Sequence, residues 1–235
     1  MEKPTLLGKI LRVVAIVLLG LTAAFNLMGG AGSSCIALAA EKYGEDWAAL
    51  IPYKWLYQLL ILATLAAAIY GVIVLIRLIK GRKGSYNQVI LSLVLVCIPT
   101  IIQIAASRSL RGASQPNDMR LYITLFTLVV LLILRTPAIF QQIGFERGAK
   151  GGAGSATGGL AAISTGLLAL SVQFWAGSTH TWDGVNYADA WHLQIAVIGW
   201  LLTVGGMLLL IRAALNGQNE PVVEQLQGEQ ANLLA

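Results

Sequence analysis

Six uninterrupted apolar runs, each close to the ~20 helical residues that cross a hydrocarbon core, constrain this chain more than anything else in it. They lie at Gly8–Met28, Trp55–Ile79, Asn87–Ser107, Leu121–Ile139, Gly159–Ala176 and Trp191–Ala213. None alternates with a period of two, so helices are expected rather than barrel strands, each closing its backbone hydrogen bonds within its own segment. The fold class that follows is all-α: a polytopic membrane bundle of six transmembrane helices with short loops. Residues 1–215 would form that domain. The polar stretch 216–235 is expected to be a disordered tail, in which Pro221 can open one short helix.

Charge gives the bundle a direction. Only 11% of the residues are charged, against about 25% in soluble domains, and the mean hydropathy is +0.72. With the N-terminus inside, the inner segments hold Lys3, Lys9, Arg12, Arg77, Lys80, Arg82, Lys83, Arg135, Arg147, Lys150 and Arg212. The outer loops hold only Lys42, Lys54, Arg108, Arg111 and Arg120. Such a bias predicts that both termini are cytoplasmic. Trp47, Trp55, Trp175, Trp182 and Trp191 all fall at the opposite interface or its loops, which agrees. The plasma membrane of a prokaryote is the expected location. The net charge of +5 is the inner bias and suits anionic lipid headgroups; nothing indicates nucleic acid.

The connections carry their own signals. The first outer loop, Gly29–Lys54, opens with a flexible GGAGSS run, and Trp47–Tyr57 is dense enough in aromatics to lie in the headgroup region. It can fold back as a lid near Trp175–Trp191. Gly32-Ser33-Ser34-Cys35 resembles a lipoprotein cleavage box, but Gly32 stands where an aliphatic residue is usual, so the first span is read as retained. Cys35 and Cys97 sit at different depths and make no disulfide framework. Ala63, Ala67 and Gly71, and then Gly158, Ala162 and Gly166, form small-residue stripes that let helices approach closely. Pro99 should kink the third span. Arg135-Thr136-Pro137 marks the inner interface with Ala138–Phe145 along it, and Lys150–Gly159 reads as a hinge without a phosphate-loop pattern.

No ionisable residue falls near the middle of any run, which argues against an ion-coupled pump or transporter. The polarity that remains is lopsided. Asn26, Gln58, Gln103, Gln173 and Gln194 all lie in the outer third of five different spans or at their edge. They could line a polar outer pocket for a lipid headgroup, a quinone ring or a partner's segment. Equally, each amide could bond its own neighbours.

The densest chemistry lies in Gln173–Gln194, which holds both histidines, His180 and His192, and Asp183 and Asp189 between them. Neutral imidazoles suit a metal or a haem, and the aspartates could orient them. The same residues also read as helix punctuation. Asn186 is a plausible N-cap of the last span, and Asp189 resembles its capping-box acid. Two histidines without a further strong ligand leave coordination incomplete, so the capping arrangement is expected. Ser33, Ser34 and Cys35 have no base linked to them, and no catalytic residue is assigned. The leading reading is a non-enzymatic integral membrane protein, an accessory or scaffolding subunit whose aromatic outer face meets lipid, another membrane subunit or a second copy. The alternatives are a redox subunit holding haem or quinone near the outer surface, and a facilitator for a small neutral solute.

Overall fold

The computed structural model describes residues 5–114, 117–146, 152–182 and 184–233, as backbone alone from residue 217 on. Lys3, Arg147, Lys150 and Asp183 lie outside these residues. The helices in chain order are α1 (Leu6–Ala39), α2 (Lys54–Ile79), α3 (Ser85–Arg111), α4 (Asn117–Leu134), α5 (Pro137–Ile143), α6 (Ala153–Leu170), α7 (Val172–Ala176), α8 (Tyr187–Ala190) and α9 (His192–Leu233). Short 3-10 turns follow α1, precede α2 and follow α7. A two-residue hairpin, β1 (Thr181–Trp182) against β2 (Val185–Asn186), precedes α8. Among the described residues, six helices are long and apolar enough to cross a membrane: α1 to α4, α6 and α9. Past Asn216, α9 runs on as helix to Leu233, over a stretch rich in the strong helix formers Glu, Gln and Leu.

Three local expectations are corrected. The GGAGSS run is not a flexible loop but the last part of α1. Its glycines serve close approach rather than turning. A Cβ on Gly29 would fall inside the Arg120 side chain, one on Gly30 would stand 2.7 Å from Leu65 Cδ2, and one on Gly32 would stand 3.3 Å from His180 Nε2. Ser33 and Ser34 add back-bonds to Gly29 O and Gly30 O at 2.7 and 3.0 Å. The fourth span occupies Asn117–Leu134 rather than Leu121–Ile139. Thr136, preceding Pro137, is extended (ψ 127°) and Pro137 starts α5, as the steric clash of a proline with its predecessor requires. The fifth span begins early, at Ala153 behind the left-handed Gly152 (φ 74°), and ends at Leu170 before a separate α7.

The bundle is built in two unequal parts. α1 to α4 surround an apolar core near the end that carries Lys80, Arg82 and Lys83, hereafter the basic end. There Ile16, Leu19, Val74, Leu78, Val89 and Leu131 are buried together. The α5 segment sets one face on this core and leaves Pro137, Ala138, Gln141 and Gln142 exposed on the other. Ile143 and Phe145 are buried, and Tyr86 meets Phe140 and Phe145 with ring centroids 4.9 and 5.0 Å apart. Arg12 closes the same end, donating to the carbonyls of Gly144 (3.0 Å) and Ile79 (3.4 Å), where helix ends leave carbonyls without intrahelical partners. At the opposite end a smaller cluster of Ile36, Ala40, Leu50, Tyr57 and Ile61 seats the first loop back over the helices, with Arg111 stacked 3.6 Å from the Trp47 ring centre. This lid meets the second aromatic segment through Tyr43 and Tyr187, 5.4 Å apart edge to face.

α6 and α9 form the second part, an antiparallel pair held by reciprocal glycines. A Cβ on Gly159 would stand 2.7 Å from Gly206 O, and one on Gly166 would stand 2.6 Å from Gly199 O. Spacing of seven on each helix of the pair brings two backbones into contact twice on one face. The contact therefore uses Gly159 and Gly166. Gly158, the residue named from its four-residue spacing, faces Ile79 instead, at 3.6 Å.

Candidate functional site

A polar seam crosses the α1–α4 interface in three layers. Thr22 bonds Thr127 at 2.6 Å, Asn26 Nδ2 donates to Thr124 Oγ1 at 3.0 Å, and Gly29 receives the stem of Arg120. Residues 22, 26 and 29 are spaced by four and three, as are 120, 124 and 127, so each set occupies one helical face. The two faces run antiparallel in register.

Arg120 ends the seam. It is only 1% exposed, because the corrected start of α4 places it one turn inside the helix and not in the outer loop. Its Nη2 reaches across to α3, to Gln103 Oε1 at 3.3 Å and Thr100 Oγ1 at 3.4 Å. Nε and Nη1 have no hydrogen-bond partner among the described residues, and neither do Asn26 Oδ1 and Asn117 Oδ1. The nearest carboxylate in sequence, Asp118, is taken: Arg108 donates to its Oδ1 at 2.8 Å and Ser114 Oγ to its Oδ2 at 2.5 Å. Neither ion pair among the described residues includes Arg120. A guanidinium so placed is costly and can donate further hydrogen bonds to an anion or to water. On the basic side the seam stops against the core around Leu131 and Leu19, so it is a dead end, not a passage.

The five amides do not share one space. Asn26 and Gln103 belong to the Arg120 network. Gln58 Nε2 donates to Ala37 O at 3.2 Å, and Gln173 Oε1 accepts from the ring of His192. Gln194 is exposed. Lying at one depth does not give five side chains one direction around the bundle.

In the 173–194 stretch each histidine serves its own bond. His180 Nδ1 donates to Ala176 O at 2.9 Å, while His192 Nδ1 engages Gln173. Asn186 does cap a helix, accepting from the amides of Ala188 (3.0 Å) and Asp189 (3.3 Å). The capped helix is the four-residue α8, however, and α9 starts afresh at His192. Trp175 stacks on Phe25 of α1 at 5.0 Å. Burial, with a hydrogen bond to Cys35, pushes the neighbouring Tyr43 phenol up to about 12.

Several spans leave apolar side chains open, among them Leu62 and Ile69 of α2, Leu95 and Ile98 of α3 and Phe126 and Val129 of α4, and the face of α9 is the most regular. α9 packs chiefly on α6, and its opposite face carries Val197, Leu201, Val204, Leu208, Ile211 and Leu215, each between 49% and 69% exposed. The spacing alternates four and three, with β-branched residues at 197, 204 and 211 and leucine at 201, 208 and 215. Three residues separate each leucine from the next β-branched residue and four separate that from the next leucine. Leucine therefore takes the a and β-branched residues the d position of a knobs-into-holes seam, the order that favours three or four helices over two. No protein-family model, curated protein or solved structure matches this chain.

Proposed function

We propose that the protein is a non-enzymatic integral membrane subunit, accessory or scaffolding in role, that associates with its partner inside the bilayer along α9. Both termini lie in the cytoplasm in this reading, with the aromatic hairpin end outside, in a prokaryotic plasma membrane. The observation that carries it is the outward stripe of α9. Lipid tails are as apolar as leucine, so a helix gains from leaving them for another helix chiefly through packing. A face already spaced and shaped for knobs-into-holes is suited to that gain. The partners are further copies or subunits presenting a like face. One further feature supports the reading: the polar seam ends blindly in the core.

A photoreactive residue at position 208 tests it, with position 98 of α3 as control; Leu208 and Ile98 are both exposed and apolar. Irradiation of intact membranes is expected to give one discrete adduct from 208 and none from 98, and an adduct of twice the chain mass identifies a second copy. Lipid adducts alone at both positions would defeat the reading.

A further inference from the structure

A lateral groove of about 890 Å³ lies between α2 and α9, floored by α1 and α6. Its floor is made of small residues, Gly20, Ala23 and Ala24 on one helix and Gly158 and Ala162 on the other. Larger side chains there would fill it. The walls are aliphatic, from Val72 and Ile76 of α2 to Ile198 and Leu202 of α9. Along α6 the lining runs from Gly152 to Thr165, roughly 20 Å of helix. One leaflet's hydrocarbon is about 15 Å deep, half of the ~30 Å core, so the groove is long enough for acyl chains lying lengthwise.

Its polarity is one-sided. Lys80 and Arg212 stand at the basic end, exposed and outside both ion pairs of the described residues. No Asp or Glu is among the lining residues. An apolar slot open to lipid, ending in two cations at headgroup level, recognises an amphiphile with an acidic head. A partner helix would fill the slot but leave both cations unmatched.

We infer that this groove is a binding site for one anionic phospholipid, its chains along the Gly/Ala floor and its phosphate held by Lys80 and Arg212. The site is separate from the outward stripe of α9, whose residues do not line it. Two basic side chains at a membrane surface amount to a preference of roughly thirty-fold for an anionic over a zwitterionic headgroup, weakened by salt.

Native mass spectrometry of the full chain, supplied with phosphatidylglycerol or phosphatidylcholine in detergent, reads this directly. One phosphatidylglycerol should stay bound per chain, with phosphatidylcholine retained about thirty-fold more weakly. Lys80→Gln with Arg212→Gln should abolish the preference, and Ala162→Phe, which fills the floor, should abolish retention of both lipids. The charge variants lie on the surface and leave packing intact, so they decide the matter if Ala162→Phe fails to fold. Inorganic phosphate, lacking chains, should neither be retained nor displace the lipid. Equal retention of the two lipids, or retention unchanged in the charge variants, would overturn the inference. So would displacement of the lipid by a stoichiometric polypeptide.

Discussion

Gly205 and Gly206 are adjacent on α9, and the structure assigns opposite signs to the same substitution at each. A Cβ on Gly206 would stand 2.7 Å from Gly159 O and 2.9 Å from Ile163 N, both backbone atoms of α6. A Cβ on Gly205 would meet nothing within 4 Å. Gly206→Ala must therefore part the two helices, and forcing a methyl into a filled contact destabilises by about 1–3 kcal/mol. Gly205→Ala meets no such resistance and gains up to ~1 kcal/mol of helix propensity, less in lipid, where the helix is already held. The gap between the variants should be roughly 1–4 kcal/mol, about a five- to several-hundred-fold difference in the unfolding equilibrium. Gly159→Ala strikes the same contact from the other side, so the 159/206 double variant should fall short of the sum of the singles. Reversible unfolding in mixed micelles, followed by tryptophan fluorescence, measures all four. Equal losses at 205 and 206 would refute the reciprocal-glycine packing of α6 on α9.

Arg120→Met keeps the stem against Gly29 but removes the unpaired charge, and should leave stability unchanged or raise it by about 1–4 kcal/mol. Arg120→Ala also empties the space and should fall about 2–5 kcal/mol below the Met variant; a large loss in Arg120→Met would reveal a stabilising partner for the guanidinium. Tyr43 ionises near 12 in the folded protein and near 10 when unfolded. Its neutral form therefore supports the fold fully below pH 10, and this contribution is lost as pH rises toward 12. A phenolate titration of wild type against Tyr43→Phe should show the missing step near 12, and a step near 10 would contradict the packing of that loop. For orientation, a cysteine at 184 or 185 should react with an impermeant thiol reagent added outside cells, and one at 152 or 154 should not; the reverse pattern would invert the bundle.

The six spans were legible because long apolar runs have few other solutions in a chain this poor in charge. Their ends were not, and one end mattered. Arg120 at the head of an apolar run looks like a flanking charge, yet it belongs to a stripe with Thr124 and Thr127 that mirrors Thr22, Asn26 and Gly29. Polar residues at helical spacing inside both runs were the available signal for a buried seam. The glycines of α1 misled for a related reason. Glycine permits turning and close approach alike, and only the neighbour, here Arg120 or Leu65, decides which is used. The amides failed as a common pocket because sequence gives depth along a helix more readily than direction around the bundle. Asn186 was rightly seen as a cap, but the break at Trp191 that detaches α8 from α9 carries neither proline nor glycine to announce it.

The central claim is association along α9, and the composition of particles extracted directly from membranes tests it most plainly. Polymer-extracted native nanodiscs, weighed particle by particle, should hold the chain together with further copies or another polypeptide in fixed ratio. Leu201→Ala with Leu208→Ala, which strips the leucines from the middle of the outward stripe, should shift the population to single chains without unfolding them. Wild-type particles holding one chain and no partner in fixed ratio, or a ratio untouched by the double variant, would contradict the account.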